Sequence, residues 1–171
     1  MDFTNLAQKR YSVRKFDPRP IEEEKLRAIL EAGNLAPTAK NGQPQRIYVV
    51  KSEENLEKIR GLTRCHFGAP VVLIFAYDKT EEWQNPLEAG VHSGPQDVSI
   101  VATHIMLKAA EAGVGSVWVN LFSPAETKRV MGLSENEVPL LLMPLGYAAD
   151  DAAPGAGHTA RKPLSATVKE I

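Results

Sequence analysis

The amino-acid sequence predicts one domain in which helices cover a central β-sheet. The chain has 171 residues, the usual size of a single domain and enough for a substantial core. The apolar run from Pro70 to Tyr77 is rich in β-branched residues and does not alternate, which is typical of a strand buried on both faces. The stretch from Pro95 to Ala112 repeats apolar residues at helical spacing and predicts a long helix over that sheet.

The first part of the chain predicts two helices, an extended segment and a loop. We expect a short helix over residues 2–9, followed by an extended segment over residues 10–14. Acidic residues and then apolar residues at 3.6-residue spacing predict a second helix over residues 22–34. Residues 35–44 combine two prolines, a glycine and polar side chains, so they predict an ordered loop.

The next part of the chain predicts a strand, a short helix and a polar loop. Residues 47–50 are β-branched and aromatic, which favours a strand, and Ser52 can cap the helix after it. Residues 78–94 are polar and without a period, so we expect a mobile loop or lid.

The remainder predicts two strands, one helix and a tail. Strands are expected over residues 116–119 and 140–145. A capping box at Ser123 begins a helix that should end near Met131. Residues 148–157 resemble a linker that returns the basic cluster after it to a site.

Composition excludes several classes of function. With 20 basic and 21 acidic residues the formal net charge is −1, which gives no field for nucleic acid or an anionic membrane. The single cysteine, the start of the chain and the absence of a 20-residue apolar run favour a cytoplasmic, soluble protein. The sequence has no P-loop, Rossmann glycine motif or nucleophile elbow, and its histidines lack metal-ligand spacing. We therefore predict no metal site.

Two basic clusters from opposite ends of the chain suggest a phosphate site. In an extended segment Arg10, Ser12 and Arg14 share one face, while Tyr11 and the next valine point away. Guanidinium forks match phosphate oxygens in pairs, so these residues and Arg161 could clamp a phosphomonoester. Taken alone, a solvated basic strand edge explains the first cluster better.

The loop from Pro37 to Pro44 offers amide and hydroxyl groups that could bind the polar edge of a flat heterocycle. The alternative is a surface turn with Asn41-Gly42 at its corner.

Six motifs in order resemble the nitroreductase family of FMN-dependent enzymes. They are Arg-Tyr-Ser-Val-Arg-Lys-Phe, Leu-Ala-Pro-Thr-Ala-Lys-Asn-Gly-Gln-Pro, Gln96-Asp97, Gly-Ser-Val-Trp-Val, Pro-Leu-Gly-Tyr and Arg-Lys-Pro-Leu. The resemblance implies an α+β sandwich with a mainly antiparallel central sheet flanked by helices. It also implies an intertwined homodimer with FMN at the interface.

The resemblance further implies which residues bind FMN. The phosphate and ribityl end would be bound by Arg10, Tyr11, Ser12, Arg14, Arg161 and Lys162. The partner chain would bring Pro37, Thr38, Ala39 and Asn41 to the ring, with Gln43 as a weaker candidate. The ring would lie beside Trp118, Val119, Asn120 and Leu121, where a backbone N–H can bond to N5, and Arg64 is a loose match for a cation at the N1–O2 edge.

By this resemblance the chain is an oxidoreductase that passes hydride from NAD(P)H to a nitroaromatic, a quinone or a similar small-molecule acceptor by a ping-pong mechanism. No catalytic side chain is expected, because the flavin carries the chemistry. The chain departs from the family at Asn120-Leu121, where larger members have Glu-Gly, and at Gln45, where an aromatic residue is common. Two alternatives stay open: a relative with a dedicated substrate, such as a dehydrogenase or flavin-modifying enzyme, and a flavin-binding protein without turnover.

Overall fold

The computed structural model describes residues 2–171 and contains a four-stranded antiparallel sheet in the order β1-β2-β4-β3. The strands are β1 (Gln45–Val50), β2 (Val71–Asp78), β3 (Gly115–Ser116) and β4 (Glu137–Gly146). The helices are α1 (Phe3–Lys9), α2 (Glu23–Asn34), α3 (Glu53–Leu62), α4 (Gly94–Glu111), α5 (Pro124–Met131) and α6 (Leu164–Thr167). Two short 3₁₀ turns lie at Ala39–Asn41 and Arg64–His66. The predicted α+β sandwich is confirmed.

Helices cover the two faces of the sheet and form two apolar clusters. On one face α2 and α4 pack on β2 and β4, with Ile29, Phe75 and Ile105 fully buried. On the other face α3 and α5 meet the opposite side of the same strands, around Ile59 and Ile74. Because β2 is covered twice, its side chains are apolar at successive positions instead of alternating.

Most predicted elements are confirmed, and two differ. The strand expected over residues 116–119 pairs as a ladder only at β3, with one further bridge between Val119 and Leu142. The segment over residues 78–94 has more structure than its polar composition predicts, because Gln84 and His92 form an antiparallel bridge. Backbone hydrogen bonds of 2.8–2.9 Å join its two sides. Hydrogen bonds between residues close in sequence are invisible to a search for apolar periods.

None of the helices in residues 2–171 is both long and apolar enough to span a membrane.

Tyr147 ties the end of β4 to the start of α2. Its ring is buried, its hydroxyl donates to a carboxylate oxygen of Glu22, and Lys25 Nζ lies 2.6 Å from the same hydroxyl. The guanidinium of Arg19 stacks 3.8 Å above the ring centroid. The Tyr147 hydrogen bond is the main cause that lowers the pKa of Glu22 from 4.5 to about 2.

This contact makes stability depend on pH in acid solution. A folded-state pKa below the unfolded value means that the contact stabilises fully above pH 4.5 and is lost as the pH falls towards 2. We predict that Glu22→Gln flattens the fall in thermal midpoint over that range, measured by circular dichroism. Glu24→Gln, at an exposed neighbour that forms no ion pair within residues 2–171, is the control. An unchanged pH profile in Glu22→Gln would contradict the assignment.

Candidate functional site

The N-terminal extended segment lies along the edge of the sheet, where β3 and β4 end. Ser12 forms a parallel bridge with Ser116, and the Val13 N–H donates to the Ser116 carbonyl at 3.0 Å. Further along, Phe16 forms an antiparallel bridge with Ala148 beyond the end of β4. The segment is therefore held by backbone hydrogen bonds on both sides of the site.

A close approach at Gly115 makes this docking possible. A Cβ on Gly115 would lie 2.6 Å from Val13 Cγ2, closer than real Cβ atoms come to other atoms. Val13 is 2% exposed, so its side chain fills the space that a larger residue at position 115 would need. Gly115 has no left-handed φ, so its backbone conformation does not require a glycine. The packing of the neighbouring segment does.

The two basic clusters come together around one cavity of about 310 Å³. Its lining combines the N-terminal segment and the C-terminal tail, and consists of Arg10, Tyr11, Ser12, Arg14, Gly155, Gly157, His158 and Arg161. No carboxylate is among these residues. Within residues 2–171, none of the three arginines forms an ion pair.

Local backbone contacts orient two of the arginines. Arg14 Nη1 donates to the Ser12 carbonyl at 3.3 Å. Arg161 Nη1 donates to the carbonyls of His158 and Ala160, each at 2.7 Å. Three guanidinium groups that lack a counter-ion can neutralise a phosphate monoester, whose charge is about −1.5 to −2 at neutral pH.

Of the residues predicted at the phosphate end, Tyr11 lines the cavity with the arginines and meets the His158 ring edge-on with centroids 6.2 Å apart. Simple alternation along the segment would have turned its side chain away from that of Ser12. Lys162 is exposed and does not line the cavity.

A buried carboxylate anchors the loop that contains the predicted ring contacts. Asp97, 3% exposed near the start of α4, accepts a 2.8 Å hydrogen bond from the Ala39 N–H. It also accepts a 2.6 Å bond from the Ser93 hydroxyl. Within the loop, Thr38 Oγ1 accepts the Gln43 N–H at 3.1 Å. These contacts hold a loop whose Lys40, Asn41 and Gln43 have positive φ.

The loop stands apart from the phosphate cavity within one chain. Pro37, Thr38, Ala39, Asn41 and Gln43 are all absent from the lining of that cavity. Pro37 and Asn41 are exposed, as is Leu35 at the start of the loop, with 81% of its surface accessible. Gln45 belongs to β1 instead of the loop.

Backbone N–H groups are free at the end of the stretch after β3. Val119 exchanges hydrogen bonds of 2.9 and 3.0 Å with Leu142, so its N–H is already used by the sheet. Within residues 2–171 the N–H groups of Asn120 and Leu121 have no acceptor. The Trp118 Nε1–H donates to Asn120 Oδ1 at 2.9 Å and fixes that side chain. Of the four residues predicted beside the ring, Trp118, Asn120 and Leu121 have backbone N–H groups without an acceptor within residues 2–171, which a ligand could use.

Arg64, the loose match for a cation at the ring edge, and Leu121 lie on the wall of one cavity. The two residues line a second cavity of about 730 Å³ between α3 and the start of α5. Thr63, 7% exposed, joins the two segments because its hydroxyl donates to the Leu121 carbonyl at 2.6 Å and accepts the Cys65 N–H at 3.1 Å. Arg64 forms no ion pair within residues 2–171.

Three positioning residues were missed at the sequence level. Asp97 was noted as part of a motif without a role, while Thr63 and His158 were given none. Threonine hydroxyls can hydrogen-bond the backbone two residues further on, as Thr63 does with Cys65, and this is the local signal that points to Thr63. No local pattern links His158 to the N-terminal segment, because the two lie at opposite ends of the chain.

Comparison with known proteins gives one consistent result. The sequence model of the nitroreductase family matches residues 7–67 and 62–147. A Methanothermobacter thermautotrophicus protein whose name carries both NADH dehydrogenase and NAD(P)H nitroreductase is 32% identical over 162 residues, covering 88% of this chain and 80% of that protein. An NADH dehydrogenase from Thermus thermophilus is 29% identical over 189 residues, covering 90% of each. The crystal structure of a nitroreductase family protein from Clostridium difficile has 35% identity and a TM-score of 0.92, covering 99% of this chain and 98% of that one.

Proposed function

The chain belongs to the nitroreductase family, and on that premise we propose that it is an FMN-dependent enzyme that uses NAD(P)H to reduce a small-molecule acceptor, such as a nitroaromatic or a quinone, by a ping-pong mechanism. The observation that carries the proposal is the cavity in which Arg10, Arg14 and Arg161 converge with no carboxylate among them. The names of the two relatives, which refer to NADH or NAD(P)H, support the choice of electron donor.

The phosphate end of the site fits a mononucleotide. In the proposed complex the three arginines bind the phosphate oxygens, and the hydroxyl of Ser12 is an additional donor. Because the cations come from both termini of the chain, binding would also hold the C-terminal tail against the N-terminal segment. A ligand without a phosphate would leave three like charges together, so the cavity favours FMN over riboflavin.

The ring end of the site offers donors and a cation. The free N–H groups of Asn120 and Leu121 can orient a flavin by a hydrogen bond to N5. Arg64, on the same side of the molecule as Leu121, supplies a positive charge where an electron-accepting ring becomes negative. FMN, when bound, supplies the hydride chemistry, so the protein needs no acid or base of its own for that transfer.

The ring end is completed by a second copy of the chain in this proposal. The loop from Pro37 to Asn41 is firmly anchored by Asp97 yet lines neither cavity of its own chain. Exposed apolar side chains accompany it, with Leu35 at 81% and Ile100 of α4 at 39% accessibility. An apolar surface next to an anchored loop supports a homodimer in which each loop faces the flavin of the other copy.

The phosphate assignment predicts a loss of FMN affinity on Arg14→Ala. Removing one charge-assisted interaction should weaken binding by about 1.5–3 kcal/mol, a rise in Kd on the order of 10- to 150-fold. Fluorescence titration of the apoprotein measures this change. Arg27→Ala, at an exposed arginine of α2, is the matched control and should leave Kd unchanged. An equal Kd for Arg14→Ala and wild type would rule out the role.

The redox assignment predicts that NADH or NADPH bleaches the visible flavin band of the purified protein under anaerobic conditions. Re-oxidation by menadione should then restore the band, and both together should support steady-state turnover. Slow bleaching with both nucleotides would favour a relative with a dedicated substrate. If neither bleaching nor turnover is observed, the protein binds flavin without turnover, and the proposed activity is contradicted.

The dimer assignment predicts that light scattering gives twice the mass of one chain. Because each ring site draws on both copies, FMN should be released in parallel with dissociation when the protein is diluted. A chain of monomer mass that retains fully bound FMN would refute the shared site.

A further inference from the structure

His158 is a titratable residue in the phosphate cavity to which neither the family motifs nor the proposed function gives a role. It lies in the C-terminal tail, three residues before Arg161, and its side chain is half-buried. It is the one lining residue whose charge can change near neutral pH, because the arginines stay charged throughout.

The contacts of the ring determine which nitrogen carries the proton. His158 Nε2 lies 3.0 Å from the backbone carbonyl oxygen of Gln8 in α1. A carbonyl only accepts, so Nε2 must be the N–H donor. In the neutral ring Nδ1 is then an acceptor, and within residues 2–171 it has no hydrogen-bond partner. Protonation would turn Nδ1 into a second donor without disturbing the bond to Gln8.

The same residue holds the tail that contributes Arg161. The His158 carbonyl accepts the Arg161 guanidinium at 2.7 Å, while the imidazole ring reaches the opposite end of the chain at Gln8. The imidazole ring also meets the Tyr11 ring edge-to-face, and this contact limits rotation of the imidazole. The imidazole is therefore fixed in place at the cavity before any ligand arrives.

The charges around the imidazole change sign when a phosphate binds. The charged groups that line the cavity with it are Arg10 and Arg14 from the N-terminal segment and Arg161 from its own tail, with no carboxylate. A bound phosphate, close to a dianion, would place negative charge beside the ring and favour the imidazolium in the complex.

We propose that His158 is a pH-dependent ligand of the FMN phosphate, which it binds in the protonated form through Nδ1 while Nε2 keeps the tail on Gln8. This inference rests on the proposed function. Its contribution is present at low pH and is lost as the pH rises above the pKa of the imidazole in the complex. Binding of FMN by this chain is thereby coupled to uptake of a proton.

The test compares wild type with His158→Gln, whose amide can still donate to Gln8 but cannot become charged. The FMN phosphate itself titrates near pH 6. The quantity to measure is therefore the Kd of His158→Gln divided by the Kd of wild type, because the titration of the phosphate affects both and cancels. We expect the ratio to rise from about 1–2 at pH 8.5 to about 10 at pH 6, the size of one charge-assisted hydrogen bond. Fluorescence quenching of FMN by the apoproteins gives both constants.

Matched measurements separate a direct ligand from a structural role. Riboflavin lacks the phosphate, so its Kd ratio should stay constant with pH. His158→Arg carries a permanent charge, so the ratio of its Kd to that of His158→Gln should not vary with pH. His104→Gln, on α4 and outside the cavity, should behave as wild type.

A constant FMN ratio, or an equal change for riboflavin, would overturn the role of His158 and leave the FMN site intact. Absence of FMN binding by wild type would overturn the proposed function and this inference with it. Circular dichroism of each variant shows whether a lost affinity reflects a lost fold.

Discussion

Backbone pairing between the N-terminal segment and the end of the sheet holds the parts of the site together. The bridge from Ser12 to Ser116 joins the segment to β3, from which the chain continues to Leu121. The bridge from Phe16 to Ala148 joins it to the chain leaving β4, which becomes the tail. The cations, the free N–H groups and the tail therefore belong to neighbouring backbone, and Gly115 is the position at which this arrangement tolerates no side chain.

Buried polar contacts give the irregular segments of the site a defined position. Asp97 receives hydrogen bonds from the Ala39 backbone and the Ser93 hydroxyl, and Thr63 joins the turn with Arg64 to Leu121. A buried polar group is costly unless it is paired, so each contact favours one loop conformation over its alternatives. The loops thus gain their positions from a few satisfied groups instead of from apolar packing.

The charge distribution separates arginines that are paired with carboxylates from arginines that are not. Arg46 pairs with Glu81 at 2.8 Å, and Arg60 with Glu57 at 2.7 Å, so these arginines are neutralised within the fold. Those around the phosphate cavity have no such carboxylate within residues 2–171. Like charges left together cost free energy in the empty protein, and an anion that neutralises them recovers it. The unpaired charges are in this respect consistent with the proposed anionic ligand.

The sequence by itself determined the elements with strong periods. Buried β2 and amphipathic α2 and α4 appear close to their expected limits, because apolar spacing reports directly which face is covered. It also named the residues that support the proposed phosphate end, since guanidinium and hydroxyl groups have the same donors in any fold. The shortness of β3 was not predicted, because strand pairing depends on partners distant in the sequence. The bridge within residues 78–94 was not predicted either, because its hydrogen bonds join residues close in sequence and follow no apolar period.

Only the tertiary structure decided which residues meet. It brought His158 into the cavity with Arg161, left Lys162 outside, and used the Val119 N–H in the sheet while those of Asn120 and Leu121 stay free. The physical reason is that these outcomes depend on how the two ends of the chain and the edge of the sheet come together. Contacts between residues more than a hundred positions apart leave no period or spacing in the sequence, whereas burial of a helix or strand does.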